Sequence, residues 1–319
     1  RCSLVRVTGK ILYMNFLSMD YFIMVAKERS FTKAAKRLGI TQQTLSAHIA
    51  NLEREVGCEL FVRHVPLELT YAGRTFLRYA NGFQREHTMM MQEFGDIAHD
   101  ESGVLRVAVG HTRGQAIMPR VIAAFQRKRP GIVIDMIEGV NESHGRRLAD
   151  GEVDLAIAHF AHAIPGVELV DFYEEMQLVI SRSLWMQVVG GSPGEAEMRI
   201  ARGDLTPLSQ CPFVLGHCND IDGRIGDELF QQAGFRPVVK ARSDNMQTLL
   251  ALARLGVGAT LMVRQFLHGT QDDETLSGIR ILPLGQSARY SIDFGILRQD
   301  YRWSALTDFM TVARATVGA

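Results

Sequence analysis

Apolar residues recur at helical spacing three times within the first sixty positions, and then along one much longer stretch. Across 16–28, Phe16, Leu17, Tyr21, Phe22, Val25 and Ala26 form an inward stripe and predict a first helix. A second carries Ala34, Ala35 and Leu38 and stops at Gly39, a residue that tolerates the left-handed C-terminal position. Thr41 then offers a hydroxyl to a free backbone N–H two or three residues on, an N-cap for a third helix. That helix places Leu45, Ile49, Leu52 and Val56 on one face, and Gln42, Gln43, Thr44, Ser46, Ala47 and His48 on the other. After it, Leu60-Phe61-Val62-Arg63 and residues 66–70 read as a strand-turn-strand wing with an arginine at its base. From 72 to about 99 runs one proline-free helical pattern. Its stripe of Phe76, Tyr79, Phe83, His87, Met90, Met91, Phe94 and Ile97 is too apolar for a lone exposed helix and must pack on something. Residues 100–103 form an exit hinge.

Beyond 103, short apolar runs alternate with helical patterns, which predicts an α/β body. Strands over 104–109, 132–137 and 153–158 alternate with helices over 115–128 and 143–150, and right-handed crossovers make that order a parallel sheet. A second round gives strands over 168–173, 176–181, 213–215, 238–242 and 259–263, with helices over 224–233 and 245–255. Strands over 281–284 and 290–297 and a helix over 303–317 close the chain. Two halves of similar size, joined twice, look like the periplasmic-binding-protein architecture. The fold class is α/β with an N-terminal all-α winged helix-turn-helix and a two-lobed body joined to it by a long linker helix. The predicted divisions are a head over 14–71, the linker over 72–100, a first lobe over 104–160 with 266–319, and a second lobe over 161–265. Residues 1–13 precede Met14 and read as an extension, native or not, outside the fold.

Helix, four-residue turn with glycine, helix is the helix-turn-helix arrangement, and short amides and hydroxyls on its second helix suit base edges in a major groove. An ordinary αα-corner in a small helical domain has the same spacing. A wing would carry Arg63 to a phosphate or into the minor groove. Formal charge is zero overall, but residues 1–80 hold 12 Lys+Arg against 6 Asp+Glu and the remainder 23 against 29. A basic head on an acidic body is the asymmetry expected of a DNA-binding domain attached to a sensing domain. The four cysteines, Cys2, Cys58, Cys211 and Cys218, lack CxxC spacing, so no zinc site is expected. No apolar run approaches a membrane span. Free thiols and the lack of an export signal lead us to expect a cytoplasmic protein with no membrane association.

The head resembles the LysR-type transcriptional regulators. The matching residues are Tyr21-Phe22, Ser30-Phe31-Thr32, Ala34-Ala35, Leu38, Gln42, Leu45-Ser46, Ile49, Leu52-Glu53, Gly57, Leu60-Phe61, Arg63 and Leu69-Thr70 with Gly73. Gln43 stands where the family most often has proline, and Ala47-His48 replace the usual arginine-containing pair, so operator preference does not transfer. The body matches more loosely, through Glu138-Gly139, Leu148 with Asp150-Gly151, Asp154-Leu155-Ala156-Ile157, Pro212-Phe213 and Leu255-Gly256-Val257-Gly258. Over 183–202 it departs: the usual His-Pro-Leu is missing, and Gly190-Gly191-Ser192-Pro193-Gly194 looks like an inserted loop.

The resemblance implies a sequence-specific transcription regulator modulated by a small-molecule effector. Double-stranded DNA would be its first partner, with a second copy held through the long helix, a tetramer beyond that, and RNA polymerase. Candidate DNA contacts are Ser30, Thr32, Lys33, Thr41, Gln42, Gln43, Thr44, Ser46, His48 and Arg63. In open α/β sheets ligands bind beyond the carboxyl ends of strands. Thr112 occupies a position where relatives place an effector-binding Ser or Thr, and Asn141 stands where a Thr is common. With Arg113, Gly216 and His217 these form the candidate effector site, whose guanidinium and helix dipoles would favour an anion.

Two other readings stay open: a cytosolic receptor of the solute-binding type without a DNA role, and a thiol-redox regulator. Gly216-His217-Cys218 is similar to the peroxide-sensing branch of the family, yet only Asp220, Asp222 and Asp227 follow, and Cys211 precedes. Gly256-Val257-Gly258 is an incomplete dinucleotide motif in the wrong order, following a helix and leading into a strand. No GxSxG, HExxH or P-loop occurs, and adjacent His217-Cys218 cannot face one another as a dyad must. We therefore expect neither an enzyme nor a cofactor or metal.

Overall fold

The computed structural model describes residues 15–64, 66–98, 102–217, 221–270 and 276–318. The chain divides into two compact units between Gln92 and Glu93.

In the first unit, α1 (Phe16–Glu28), α2 (Phe31–Leu38) and α3 (Gln42–Val56) pack around Phe22, Val25, Ala34, Ala35, Leu45, Ile49 and Leu52. Each helix is closed by its own side chains. Asn15 Oδ1 accepts from Ser18 N–H, Ser30 Oγ from Lys33 N–H and Thr41 Oγ1 from Thr44 N–H. Gly39 ends α2 at φ +68°, donating its N–H back to Ala35 and Lys36. Phe16 and Leu17, expected inward, are exposed; Met19 takes the buried position on α1 instead. The N-cap at Asn15 sets the helical phase, and that phase turns the first two apolar residues outward.

The wing is a two-stranded antiparallel ribbon, β1 (Phe61–Val62) on β2 (Glu68–Leu69), with Phe61 opposite Leu69. Glu53, a buried carboxylate of α3, holds its base. Its Oε1 accepts from the Leu60 and Phe61 N–H groups at 2.8 and 3.3 Å, and its Oε2 from Arg63 Nη2 at 2.8 Å. From Tyr71 a 27-residue helix, α4 (Tyr71–Ile97), follows. Phe76 and Leu77 pack on the head core, while Tyr79, Phe83, Met90, Met91, Phe94 and Ile97 are exposed.

In the second unit, β3 (Gly103–Gly110), α5 (His111–Ala116), α6 (Met118–Lys128), β4 (Ile132–Gly139), α7 (Asn141–Ala149) and β5 (Leu155–Ala158) form the predicted parallel βαβαβ order. The single helix expected over 115–128 breaks at Ile117 into two. Next comes β6 (Val167–Ser181), one 15-residue strand where two were expected. The sequence suggested a break because Glu174-Glu175 interrupts the apolar run; the strand continues because Glu174, 1% exposed, meets a buried cation. Then follow α8 (Arg182–Val189), α9 (Pro193–Ala201), β7 (Pro212–Leu215), α10 (Ile221–Gln232), β8 (Val238–Arg242), α11 (Met246–Arg254), β9 (Thr260–Val263), α12 (Arg264–Thr270), β10 (Ile279–Pro283), β11 (Arg289–Leu297) and α13 (Ser304–Gly318). Of the five residues read as an inserted loop, Gly190, Gly191 and Ser192 form the turn between α8 and α9 while Pro193 and Gly194 open α9, and Trp185 of α8 and Ile200 of α9 are buried.

Two lobes share β6. Its first part, to Glu175, pairs with β11 in the sheet β6-β11-β5-β3-β4; its second, from Met176, lies between β10 and β9. The chain therefore passes from one set of strands to the other inside β6 and again between β10 and β11. β7 and β8 pair in parallel, and β7 reaches β9 through Phe213 and Ala259. That approach explains Gly256-Val257-Gly258: a Cβ on Gly258 would lie 2.8 Å from the Phe213 carbonyl carbon.

His144, on α7, is fully buried against Gly139, and neither ring nitrogen has a hydrogen-bond partner. Burial first, then the charges of Arg147, Arg113 and His111, hold its pKa down at about 4.

Two outcomes follow from these buried groups. Glu53→Ala leaves two buried amides without an acceptor, so hydrogen-exchange protection at Leu60 and Phe61 should fall about 100-fold, equivalent to about 2.7 kcal/mol; unchanged protection would remove Glu53 as the wing's buttress. The unfolded chain protonates His144 near pH 6.5 and the folded one only near 4. Stability of the body should therefore decline as pH drops through that window, by up to about 1.4 kcal/mol per pH unit. His144→Met should flatten this slope without loss at neutral pH, read by denaturant unfolding through Trp185 and Trp303.

Candidate nucleic-acid interface and effector cleft

The polar face of α3 is exposed from Thr41 through Thr44, with Ser46 and His48 half-buried. Its members are not equally available. Thr41 and Thr44 share a hydroxyl–hydroxyl hydrogen bond of 2.9 Å besides the cap. Gln42 Oε1 accepts from the Thr32 hydroxyl at 3.0 Å, tying the starts of α2 and α3 together. His48 packs its ring edge-on against Tyr21, centroids 4.9 Å apart, and so faces α1 more than solvent. Ser30 serves as the α2 cap. The side chains of Gln43 and Lys33 are exposed with no partner among the described residues, and Arg63 is exposed but aimed by Glu53. Asn51 and Arg54, further along α3, are exposed as well; the sequence reading stopped at His48 because the run of short polar residues ends there.

In the body, Thr112 near the start of α5 meets Gly216 and His217, which follow β7. The same wall contains Asp227 of α10 and Ser243 and Asp244 after β8, which sequence reasoning missed. His217 holds Asp244 through its ring Nδ1 at 2.7 Å and its backbone N–H at 3.4 Å. Arg242 donates to the Gly216 carbonyl at 2.7 Å. The space enclosed is ≈ 30 Å³, room for about two water molecules.

Two expected contacts are engaged elsewhere. Arg113 is 4% exposed and makes a two-pronged pair with Glu174, Nε to Oε1 at 2.9 Å and Nη2 to Oε2 at 2.8 Å; the Tyr290 hydroxyl donates to the same Oε2 at 3.0 Å. The Asn141 amide is clamped on His159, donating to its carbonyl at 2.7 Å and accepting from its N–H at 3.1 Å. Arg113 is thus withdrawn from this wall, which carries the carboxylates of Asp227 and Asp244, the latter paired with His217. Cys218 and Cys2 lie outside the described residues; Cys211 is buried and its thiol pushed up to about 12 by burial, and Cys58 is exposed. Among the described residues no group of His, Cys, Asp and Glu could hold a metal ion, and no helix is long and apolar enough to cross a membrane.

This arrangement can be set beside known proteins. Residues 16–74 match the bacterial regulatory helix-turn-helix protein family of the lysR type, and residues 98–317 match the LysR substrate binding domain. The HTH-type transcriptional regulator cbl of Escherichia coli (strain K12) is 32% identical over 300 residues, covering 92% of this chain and 91% of its own. Among solved structures, a full-length OxyR variant from Pseudomonas aeruginosa superposes with a TM-score of 0.74 at 18% identity, covering 96% of this chain and 97% of that one. Full-length CbnR complexed with its target DNA superposes at 0.59 with 22% identity, covering 95% and 100%. Head, linker and two-lobed body thus agree with one another and with the relatives, and the chain belongs to the LysR family of DNA-binding transcription regulators with a substrate-binding domain.

Proposed function

We propose that α3 reads an operator through Gln43 first, with Gln42, Thr44 and Ser46 beside it, while Ser30, Thr32, Lys33, Thr41 and Arg63 fix register on the phosphates. The observation that carries this is a capped, solvent-facing row of uncharged donors and acceptors on a basic head. His48, packed on Tyr21, buttresses the helix more than it reads a base. A second copy covers the apolar stripe of α4, placing two recognition helices about 34 Å apart or a multiple of it. Tetramers and a contact with RNA polymerase extend the same reading, as do a cytoplasmic location and the lack of catalysis.

Effector binding takes place at Thr112, Gly216, His217 and Asp244. A metabolite needs roughly ten times the room present, so it binds an arrangement in which the lobes stand further apart, and shifts the population toward it. Beside Asp227 and Asp244, a neutral or cationic ligand that donates hydrogen bonds suits this wall better than an anion. Asn141 and Arg113 shape the cleft without touching its contents.

In a gel shift on selected operator fragments, Gln43→Ala should cost about 1–3 kcal/mol and relax preference at one base position. Lys33→Ala should weaken all sequences alike and lower the salt slope by about one. Indifference of the chain to DNA at low salt would refute the reading. For the cleft, Thr112→Val should raise the effector concentration for half-maximal response by about 5- to 10-fold, as loss of one hydrogen bond does, with operator affinity intact. Equal sensitivity in both proteins would remove Thr112 from the site.

A further inference from the structure

A second concavity, of ≈ 730 Å³, shares no lining residue with the cleft. It opens where β6 changes lobes, between the end of α9, the start of α12 and the turn joining β10 to β11. Three arginines line it, one from each: Arg202, Arg264 and Arg289. All three are exposed. Several guanidinium groups of this chain find carboxylates, as Arg37 does in Glu28, Arg147 in Glu152, Arg280 in Glu197 and Arg302 in Glu168, while others, such as Arg74 and Arg242, are held by backbone carbonyls. Among the described residues Arg202 and Arg264 have no such partner, and Arg289 lies instead over the Tyr173 ring, 4.5 Å from its centroid. Glu174 and Glu175 line the basin too, but Arg113 pairs with Glu174, so that among the described lining residues Glu175 is the carboxylate left to offset the three cations.

Three unneutralised guanidinium groups around one concavity repel one another unless something negative comes between them. Their planar forks match carboxylate and phosphate oxygens in pairs. The volume is that of a metabolite site, not of an ion.

We infer that this basin binds a small organic or inorganic polyanion carrying at least two negative charges, as phosphate or carboxylate groups. The inference goes beyond the regulatory reading above and does not depend on it, because the basin's arginines play no part in the DNA surface or the cleft. A ligand here touches β11 of the first lobe together with α9 and α12 of the second, so its affinity differs between arrangements of the two lobes, which is what lets it alter the response to an effector in the cleft.

The test titrates the full chain with inorganic pyrophosphate and, separately, with citrate, by calorimetry at constant ionic strength in sodium chloride. One of the two should bind with a dissociation constant near or below about 1 mM, and which one does decides between phosphate and carboxylate chemistry. Arg202→Ala and Arg264→Ala should each weaken it at least tenfold, and the double variant should show no heat. Arg264→Lys, which keeps the charge but not the fork, should fall between wild type and Arg264→Ala and serves as the check on folding. Absence of binding by either anion overturns the proposal. Binding that survives the double substitution does so too, since it would place the anion on the basic head.

Discussion

Glu174 is a carboxylate with 1% exposure in the middle of a strand, and such a group persists only beside a matching charge. Arg113 supplies it in two-pronged form, and the Tyr290 hydroxyl completes the set. Desolvation costs several kcal/mol per ion, so the pair's net contribution to stability is small, yet removing either partner alone would cost about 3–5 kcal/mol. What the triad contributes is placement: it locks α5, β6 and β11 together within a few residues of the point where β6 leaves one lobe for the other. Thr112 of the cleft is the neighbour of Arg113, and Tyr173, Glu175 and Arg289 of the basin are the neighbours of Glu174 and Tyr290. Both cavities take their positions from one buried ion pair.

The head is organised by a different constraint. Its helices are short, and short helices are marginal unless their ends are satisfied. Side chains from Asn15, Ser30 and Thr41 do that at the N-termini, and Gly39 and Gly57 in left-handed conformation do it at two C-termini. Capping uses the Ser30 and Thr41 hydroxyls for structure and leaves the Gln43 side chain exposed. The α4 stripe is the opposite case, a long helix whose apolar face finds no cover over most of its length. Its positions 76, 83, 90 and 97 repeat every seven residues, with 80, 87 and 94 between them, the spacing of a two-helix seam. At its far end Asp96 accepts from Ser304 N–H and Oγ at 3.0 and 2.7 Å and from the Tyr301 hydroxyl, which makes the last turn part of the second unit.

What could be read from the sequence was whatever local physics decides. The bounds of α1, the caps at Thr41 and Gly39, the face of α3 and the parallel order of β3, β4 and β5 follow from periodicity and turn residues within a few positions of each other. What was missed depends on partners far away in the chain. Glu174-Glu175 looked like a break because the cation that permits it stands 61 residues earlier. Arg113 looked like a ligand contact for the same reason, since a guanidinium beside a helix start has no visible partner until the fold supplies one. Asp244 was passed over as the lead-in to α11, although its neighbour across the cleft, His217, had been singled out.

Those two differences share one sign: a cation is withdrawn from the cleft and a carboxylate placed in it. Counted along the chain, the guanidinium belonged to the cleft and the carboxylates to the loops; in the fold, the carboxylates line the cleft and the unneutralised guanidinium groups line the basin. On the proposed readings a hydrogen-bond donor or cation would meet Asp227 and Asp244, and a polyanion would meet Arg202, Arg264 and Arg289. Thr112 of the cleft adjoins Arg113, and Arg289 of the basin adjoins Tyr290, so on the proposed readings the occupants of the two cavities press on one buried triad. Two ligands of opposite character would then act on one mechanical element, and the effect of each on the other's affinity must be equal in size.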